Sequence, residues 1–144
     1  MKTVRQIVGA KGHTVFTVGP DATVYEALQK FAEHDVGALV VTEEGEVVGL
    51  VSERDCARKL AVLVRRAKET PVREIMTKEV SCVGSKQTVD GCMALMSEKR
   101  VHHLPVLENG QLAGMISIGD VVRAIIEDRE STIEQLEHYI KGTR

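Results

Sequence analysis

The chain contains an internal duplication, which constrains its fold more than any other feature of the sequence. Shifting the chain by 65 positions aligns Val15–Lys59 with Val80–Ala124 without a gap, and 15 of the 45 aligned positions are identical. Two shorter segments, Val4–Ile7 and Val72–Ile75, match with a shift of 68, so the first copy carries three extra residues around Gly9–Thr14. Two copies of one structural unit must therefore share the 144 residues.

The same order of elements is predicted in both copies. A short extended piece comes first, followed by apolar residues at helical spacing in Val24–His34 and Val89–Glu98. Two apolar runs of strand length follow, separated by Glu44-Gly45 in the first copy and by Asn109-Gly110 in the second. Asn-Gly strongly favours a tight hairpin turn. Each copy is therefore predicted to fold as β-α-β-β-α, which places the chain in the α/β (α+β) class.

Each copy ends with a Ser-x-x-Asp step behind an apolar strand. The residues are Ser52 and Asp55 in the first copy, and Ser117 and Asp120 in the second. The serine suits a helix N-cap, and the aspartate falls in the first turn, where the helix dipole favours negative charge. A carboxylate there can also accept two hydrogen bonds from a vicinal diol, such as that of a ribose. A plain helix cap and a nucleotide site both explain one such step, and its repetition favours the site.

A glycine interrupts each of the strands that lead to these steps. Glycine inside a strand weakens it, so its presence indicates a bulge or the close approach of another group. Gly49 and Gly114 are therefore predicted to mark such a point in both copies.

Cationic residues distinguish the second copy from the first. Arg100 is followed by His102 and His103 just before a predicted strand, where the first copy has Gly37-Ala38. The two histidines could face a polyanion together, or they could point to opposite faces of an extended chain. As a metal site the pair is weak, because no third ligand lies at helical spacing. Arg54, beside Asp55, suits either a phosphate or an ordinary surface charge.

Composition excludes several classes of function. A formal net charge of −2 argues against a basic nucleic-acid surface, and no apolar run approaches the ~20 residues of a membrane span. The first residues have no apolar core of a secretory signal. The three cysteines form no CxxC pair, which favours reduced thiols and a cytoplasmic location.

Two further helical features are predicted outside the repeat. The helix after Ser52 is expected to run to a basic end at Arg65–Lys68. Ser131–Glu134 has the form of a capping box and predicts a last amphipathic helix, whose apolar residues are Ile133, Leu136 and Ile140. The expected domains are residues 1–70 (first motif and linker helix), 71–128 (second motif) and 129–144 (helical tail).

Together these motifs resemble one protein family. The duplicated Gly-hydrophobic-hydrophobic-Ser-x-x-Asp, with His-His-Leu-Pro-Val in the second copy, closely resembles the cystathionine β-synthase (CBS) domain family, in which two tandem motifs form a Bateman module. The resemblance covers the chain from about Val4 to Ile126. It implies two β-α-β-β-α units packed about a pseudo-twofold axis. It also implies clefts between the sheets that bind an adenine nucleotide: AMP, ADP, ATP or NAD(H).

The resemblance also assigns roles to residues. It implies that the ribose hydroxyls are bound by Asp55 and Asp120, with Ser52 and Ser117 close to ribose or phosphate. Phosphates would be bound by Arg54, His102 and His103, where Arg54 compensates for the small Gly37-Ala38 of the first copy. The residues implied for the adenine pocket are Thr17, Val18, Val36, Gly37, Ala38, Cys82, Val83, Val101, Pro105 and Ile118.

The function that the resemblance implies is a stand-alone, non-catalytic module that senses energy or redox state through an adenine nucleotide. Its expected partners are a second copy of the chain in a homodimer and a regulated enzyme or transporter. Nucleic acid and membrane insertion are not expected, and no metal is required for the fold.

Two alternatives stay open. The chain could be a structural protein-interaction module with degenerate nucleotide clefts, whose C-terminal helix makes the contact. It could also be an enzyme that hydrolyses a nucleotide, although no P-loop or acidic metal cluster supports this. A binding titration separates the first alternative from the sensor, and product analysis separates the second.

Overall fold

The computed structural model describes residues 2–63 and 66–141, and in them the two copies of the repeat fold alike. The elements in chain order are α1 (Val4–Lys11), β1 (Thr17–Val18), α2 (Val24–His34), β2 (Ala38–Glu43), β3 (Glu46–Ser52), α3 (Glu53–Leu63), two 3₁₀ turns (Ala67–Glu69 and Val72–Glu74), α4 (Val89–Lys99), β4 (His103–Glu108), β5 (Gln111–Ser117) and α5 (Ile118–Ile140). Helix α2 and strands β2 and β3 recur 65 positions later as α4, β4 and β5 with the same bounds. The predicted mixed α and β class is confirmed.

Both hairpins turn in the same way. Glu44 and Gly45 have φ of 52° and 81°, and Asn109 and Gly110 have φ of 53° and 77°. Two successive residues at positive φ form the turn type whose twist matches that of the flanking strands, so the hairpin predicted from Asn-Gly is confirmed.

The strands form two small sheets with related pairings. In the first, the order is β1-β2-β3, where β1 runs parallel to β2 and β2 antiparallel to β3. In the second, β4 pairs with β5, and Val83 adds a single parallel bridge to Val106. This bridge lies 65 positions after the pairing of Val18 with Val41, so Cys82-Val83 is the counterpart of β1.

Threonine caps and apolar faces fix the helices of the repeat. The hydroxyl oxygen of Thr23 accepts a hydrogen bond from the backbone of Glu26 (3.1 Å), and that of Thr88 accepts one from Gly91 (3.0 Å). Such caps satisfy backbone donors that the first helical turn leaves without partners. The buried face of α2 carries Phe31, which joins a cluster that includes Leu39, Val41, Val51 and Ile75.

Contacts divide the chain into two units, and each unit includes the segment that precedes the other copy. One unit contains residues 1–13, 82–108 and 114–144, and the other contains residues 14–81 and 109–113. In the first unit, the backbone of Val4 donates to Gln87 (2.9 Å). In the second, the backbone of Val72 donates to Ala22 (2.8 Å). The matching segments Val4–Ile7 and Val72–Ile75 have thus been exchanged between the copies.

The two strand glycines accommodate close neighbours. At Gly49 the pairing of β2 with β3 shifts by one residue, because Val41 pairs with Gly49 and Thr42 with Val47. A Cβ added at Gly49 would lie 2.9 Å from Met76 Cγ and 3.1 Å from the Thr77 carbonyl oxygen. A Cβ at Gly114 would lie 3.2 Å from both methyl carbons of Val8. The prediction of a bulge or a close approach is therefore confirmed at Gly49, and that of a close approach at Gly114.

Two predicted helix boundaries are wrong. The helix after Ser52 does not continue to Lys68, because Arg66 has extended backbone angles and a separate 3₁₀ turn follows it; positions 64 and 65 lie outside the described residues. The predicted last helix does not begin at Ser131, because α5 is one helix of 23 residues. No glycine or proline occurs between Asp120 and Ile140, and the Thr132 hydroxyl donates to the Asp128 carbonyl within the helix (3.0 Å). Despite the length of α5, none of the described helices is apolar enough to cross a membrane.

Gly49→Ala is expected to lower the free energy of unfolding by about 1–3 kcal/mol, because the added methyl group overpacks against Met76 and the Thr77 backbone. Gly84→Ala is the matched control, since a Cβ there meets nothing within 4 Å. Urea unfolding of both variants tests this, and equal stability of the two would contradict it.

Candidate functional site

Asp55 is held at the start of α3 by Ser52, the last residue of β3. One carboxylate oxygen (Oδ2) accepts hydrogen bonds from the Ser52 backbone (3.1 Å) and hydroxyl (3.0 Å). In return, the Asp55 backbone donates to the Ser52 hydroxyl oxygen (3.1 Å). The other oxygen, Oδ1, lies 3.7 Å from Lys59 Nζ, one helical turn on. The side chain of Asp55 keeps 23% of its surface exposed, so this carboxylate is fixed in place but accessible.

Asp120 is held by Ser117 in the same way, but two cations also bind it. The Ser117 backbone donates to Asp120 Oδ2 (2.9 Å), and the Asp120 backbone donates to the Ser117 hydroxyl oxygen (3.2 Å). Lys11 Nζ in α1 donates to the same Oδ2 (2.7 Å), and Arg123 Nη2 donates to Oδ1 (2.8 Å). Only 7% of the Asp120 side chain is exposed. The prediction that each serine caps the helix after it is confirmed by both sets of bonds.

The environment of Asp120 stabilises its charged form. Burial opposes ionisation, but the hydrogen bonds from Lys11 and Ser117 and the positive charge of Lys11 outweigh it, so the pKa of Asp120 lies below its ordinary value. The carboxylate is therefore ionised at neutral pH and accepts hydrogen bonds on both oxygens.

A cavity of about 240 Å³ opens between α1 and α5 beside Asp120. Its charged lining consists of Lys2, Lys11, Asp120, Arg123 and Glu127, where Lys2 and Glu127 form an ion pair. Three cations and two carboxylates give this lining a net positive charge, which suits an anion. The volume is below the ~300–1,000 Å³ typical of small-molecule sites, so it matches a part of a nucleotide rather than the whole.

The loop before the hairpin of each copy reaches the start of that copy's last helix. The carbonyl oxygen of Gly37 accepts a hydrogen bond from the Glu53 backbone (3.1 Å), and that of His102 accepts one from the Ile118 backbone (2.9 Å). The structure thus brings Gly37 and Ala38 next to the Ser52 and Asp55 step. It brings His102 and His103 next to the equivalent step of the second copy.

The remaining residues assigned by resemblance lie on or beside the strands. Thr17 and Val18 form β1, and the Thr17 carbonyl accepts a hydrogen bond from Lys30 Nζ (2.6 Å). Val83 is buried and donates its backbone N–H to the carbonyl of Pro105, itself buried in β4 (3.0 Å). The others are half-buried or exposed: Val36 and Val101 before the hairpins, Cys82 beside Val83, and Arg54 and Ile118 in the first turns of α3 and α5.

Two of the three cysteines, Cys56 and Cys92, are buried, and Cys82 is half-buried. Burial, with the negative charges of Asp55 and Glu53, raises the pKa of Cys56 to about 11. Burial also raises the pKa of Cys82 and of Cys92. At neutral pH these thiols are protonated and are poor nucleophiles. Within the ranges 2–63 and 66–141, no three His, Cys, Asp or Glu side chains are grouped so that they could hold a metal ion.

Sequence reasoning missed the two cations on Asp120. Arg123 could have been found, because it is identical to Arg58 in the aligned copies and lies three residues after the aspartate. Lys11 had a weaker signal, since it falls in the three-residue insertion of the first copy. Its contact with Asp120 spans 109 residues and depends on the exchanged position of α1.

Comparison with known proteins identifies the family. The family model named "CBS domain" matches residues 5–62 and 72–127. The chain belongs to the CBS-domain family. Pairs of CBS domains are known as regulatory modules, and the two matched regions contain Asp55 and Asp120, respectively.

Several relatives show this family likeness over most of the chain. The mitochondrial CBS domain-containing protein CBSX3 of Arabidopsis thaliana is 41% identical over 127 residues, which are 85% of this chain and 62% of the plant protein. The chain thus spans less than two thirds of that relative. A solved protein with CBS domains from Burkholderia ambifaria MC40-6 is 47% identical, covers 88% of this chain and 96% of its own, and superposes with a TM-score of 0.85.

A more distant structure shows the same fold with ligands bound. The CBS domain pair of protein MJ0100, solved with 5′-methylthioadenosine and S-adenosyl-L-methionine, is 22% identical to this chain. The likeness covers 86% of this chain and 99% of the other, with a TM-score of 0.76.

Asp120→Asn is expected to lower the free energy of unfolding at pH 7 by about 2 kcal/mol, because charged hydrogen bonds from Lys11 and Arg123 are lost. The folded state lowers the Asp120 pKa, so this stabilisation is complete above the ordinary value of 3.8 and disappears as the pH falls through the lowered pKa. Urea unfolding of wild type and variant between pH 3 and pH 7 measures it. Asp55→Asn is the control, and a loss there as large as that of Asp120→Asn would contradict the assignment.

Proposed function

We propose that this chain is a non-catalytic regulatory module that binds an adenine nucleotide: AMP, ADP, ATP or NAD(H). The observation that carries the proposal is the repeated joint between strand and helix, in which a serine fixes an aspartate side chain at the first helical turn. A carboxylate fixed in this way can accept hydrogen bonds from both hydroxyls of a ribose. The adenosine compounds bound by the CBS pair of MJ0100 support an adenosine-containing ligand as the class.

In this proposal each copy supplies its own set of contacts. Asp55 and Ser52 bind the ribose in the first copy, and Asp120 and Ser117 bind it in the second. The adenine in the first copy lies against Thr17-Val18 and Val36–Ala38. The adenine in the second copy lies against Cys82-Val83, Val101, Pro105 and Ile118. His102, His103 and Arg54 receive the phosphates. Support comes from the hydrogen bonds that join Gly37 to Glu53 and His102 to Ile118, which bring loop and helix start together in each copy.

The two ribose positions are not equivalent. Asp55 has an accessible oxygen that faces Lys59 at 3.7 Å, whereas both oxygens of Asp120 already accept hydrogen bonds from cations. A ribose can reach Asp55 without displacing a short ion pair. At Asp120 it must displace Lys11, whose ammonium group then becomes available for a phosphate of the same ligand. We therefore propose that binding at Asp55 depends on the uncharged ribose of the ligand. Binding at Asp120 also depends on a phosphate group of the ligand.

The partners and location follow from the same assignment. Ligand binding regulates a partner, an enzyme or a transporter, only if it favours one conformation of the module. The protonated thiols at neutral pH support a non-catalytic role, and we place the module in the cytoplasm.

A second candidate function is a protein-interaction module with degenerate nucleotide sites. One observation favours it. Lys11 and Arg123 each donate a hydrogen bond to one carboxylate oxygen of Asp120, as they would if this carboxylate had only a structural role.

Thermal unfolding with AMP, ADP, ATP, NAD⁺, NADH, adenosine and S-adenosylmethionine tests the proposed function. A ligand that binds only the folded state stabilises it by about 2.7 kcal/mol at 100 times its Kd. We expect at least one nucleotide to raise the Tm in wild type and to raise it less in Asp55→Asn. Glu53→Gln, in the same helical turn, is the control. No shift with any compound would favour the interaction module, and a nucleotide product in the mixture would indicate an enzyme.

Lys11→Met tests the phosphate-dependent site. We expect AMP affinity to fall about tenfold, since a charge-assisted hydrogen bond to phosphate is lost. Adenosine affinity should stay unchanged or rise, because Asp120 no longer bonds to Lys11. Calorimetric titration of both ligands measures this, with the exposed Lys86→Met as the control. An equal loss for both ligands would indicate that Lys11 only supports the fold.

A further inference from the structure

The cavity between α1 and α5 has features that the nucleotide assignment does not use. Of the residues assigned to ribose, adenine or phosphate by family resemblance, only Asp120 lines this cavity. The other lining residues lie on α1, just before it, or on α5, and all of them belong to one unit of the chain. The cavity is therefore a candidate site in its own right.

Asp120 holds two cations side by side at one end of the cavity. Lys11 Nζ donates to one carboxylate oxygen (2.7 Å), and Arg123 Nη2 donates to the other (2.8 Å). The single negative charge of Asp120 leaves one of these two positive charges unbalanced. At the other end of the cavity Lys2 forms an ion pair with Glu127, so the charges there cancel. One further negative charge would balance the lining, and its place is beside Lys11 and Arg123.

Both cations keep hydrogen-bond donors for such a charge. An ammonium group has three N–H donors, and Lys11 uses two of them, on Asp120 and on the Met115 carbonyl oxygen (3.1 Å). A guanidinium group has five, and Arg123 uses one of them on Asp120. A second carboxylate can therefore bind to Lys11 and Arg123 without breaking either bond to Asp120. The planar guanidinium group suits a carboxylate, because two of its donors match the two oxygens.

The walls between the two ends of the cavity favour a ligand with a hydrocarbon body. They are formed by Ile7, Ala10 and Ala124, of which Ile7 and Ala124 are buried. Inorganic phosphate has no apolar part to cover these walls, and its second negative charge would be repelled by Asp120. Since a cavity of about 150 Å³ holds benzene, one of about 240 Å³ holds a molecule of about ten non-hydrogen atoms.

We infer that the cavity between α1 and α5 binds a small monocarboxylate whose apolar body has about five or six carbon atoms. The carboxylate group accepts hydrogen bonds from Lys11 and Arg123, and the body lies against the apolar walls. Asp120 keeps its bonds to both cations. The inference goes beyond the proposed function, because it needs no nucleotide and assigns a second class of ligand.

The acid and a nucleotide would use Lys11 in opposite ways. The acid leaves Lys11 bonded to Asp120, whereas a ribose at Asp120 displaces Lys11. The two ligands therefore exclude each other at Asp120, and the acid leaves Asp55 unaffected. This last consequence rests on the proposed function, but binding of the acid does not.

An NMR titration of the full chain with 4-methylpentanoate, without nucleotide, tests the inference. We expect the backbone amide signals of Ala10 and Ala124 to shift along a saturating curve. The uncharged 4-methylpentanamide should bind at least about tenfold more weakly, because it lacks the charge that Lys11 and Arg123 recognise. Acetate should also bind at least about tenfold more weakly, because it lacks the apolar body.

Two variants test the two parts of the site. Arg123→Gln should raise the dissociation constant of 4-methylpentanoate about tenfold, because a charged hydrogen bond is lost. Arg58→Gln is the matched control, since Arg58 is exposed and occupies the aligned position of the first copy. Ala10→Leu fills the cavity and should abolish binding, with the exposed Ala32→Leu in α2 as its control. The Tm of each variant confirms that folding is retained.

Any of four results would overturn the inference. The first is no saturating shift with 4-methylpentanoate, and the second is equal binding of 4-methylpentanamide, which would indicate an apolar cavity without charge recognition. The third is a preference for inorganic phosphate, which would indicate a simple anion site. The fourth is a loss in Arg58→Gln as large as that in Arg123→Gln. Because no nucleotide is present, none of these results bears on the proposed function, and a failed nucleotide titration leaves this inference intact.

Discussion

The reciprocal bonds between serine and aspartate at the end of each hairpin are the interaction on which the rest of the site depends. They set the direction in which the chain leaves the sheet, because Ser52 and Ser117 end a strand and satisfy the first donors of a helix. They also fix the aspartate side chain, so the carboxylate points to a defined place without large loops around it. The residues that cap the helix are therefore the same residues that we propose as ligand-binding groups.

Much of the fold could be predicted from local signals that recur in the sequence. The hairpins follow from Glu44-Gly45 and Asn109-Gly110, and the helix starts follow from Thr23 and Thr88, since these effects act within a few residues. Helix ends were less predictable. Ser131 has the sequence of a cap, but the helix passes through it, because no residue nearby prevents continuation and a good capping residue alone does not break a helix.

The sequence does not predict those contacts of the candidate site that join residues far apart in the chain. The two aspartates follow from a local motif, but the difference in their exposure does not. Lys11 reaches Asp120 only because α1 packs with the second copy, and neither the repeat pattern nor the family resemblance indicates which lysine comes near. Electrostatics thus makes two motifs of nearly equal sequence chemically different, one accessible and one closed by an ion pair.

The exchange of segments between the copies has a consequence for how the molecule forms. The unit that holds Asp120 needs residues 1–13 together with residues 114–144, so it contains contacts between distant parts of the chain. Closing such a loop is slow, and nascent α1 leaves the ribosome long before α5 exists. During synthesis the apolar face of α1, which carries Val4, Ile7 and Val8, must remain uncovered until residues 82–108 and 114–144 have been made. The unit that holds Asp55 draws on a shorter stretch of chain, so the accessible carboxylate is in place before the one that Lys11 and Arg123 cover.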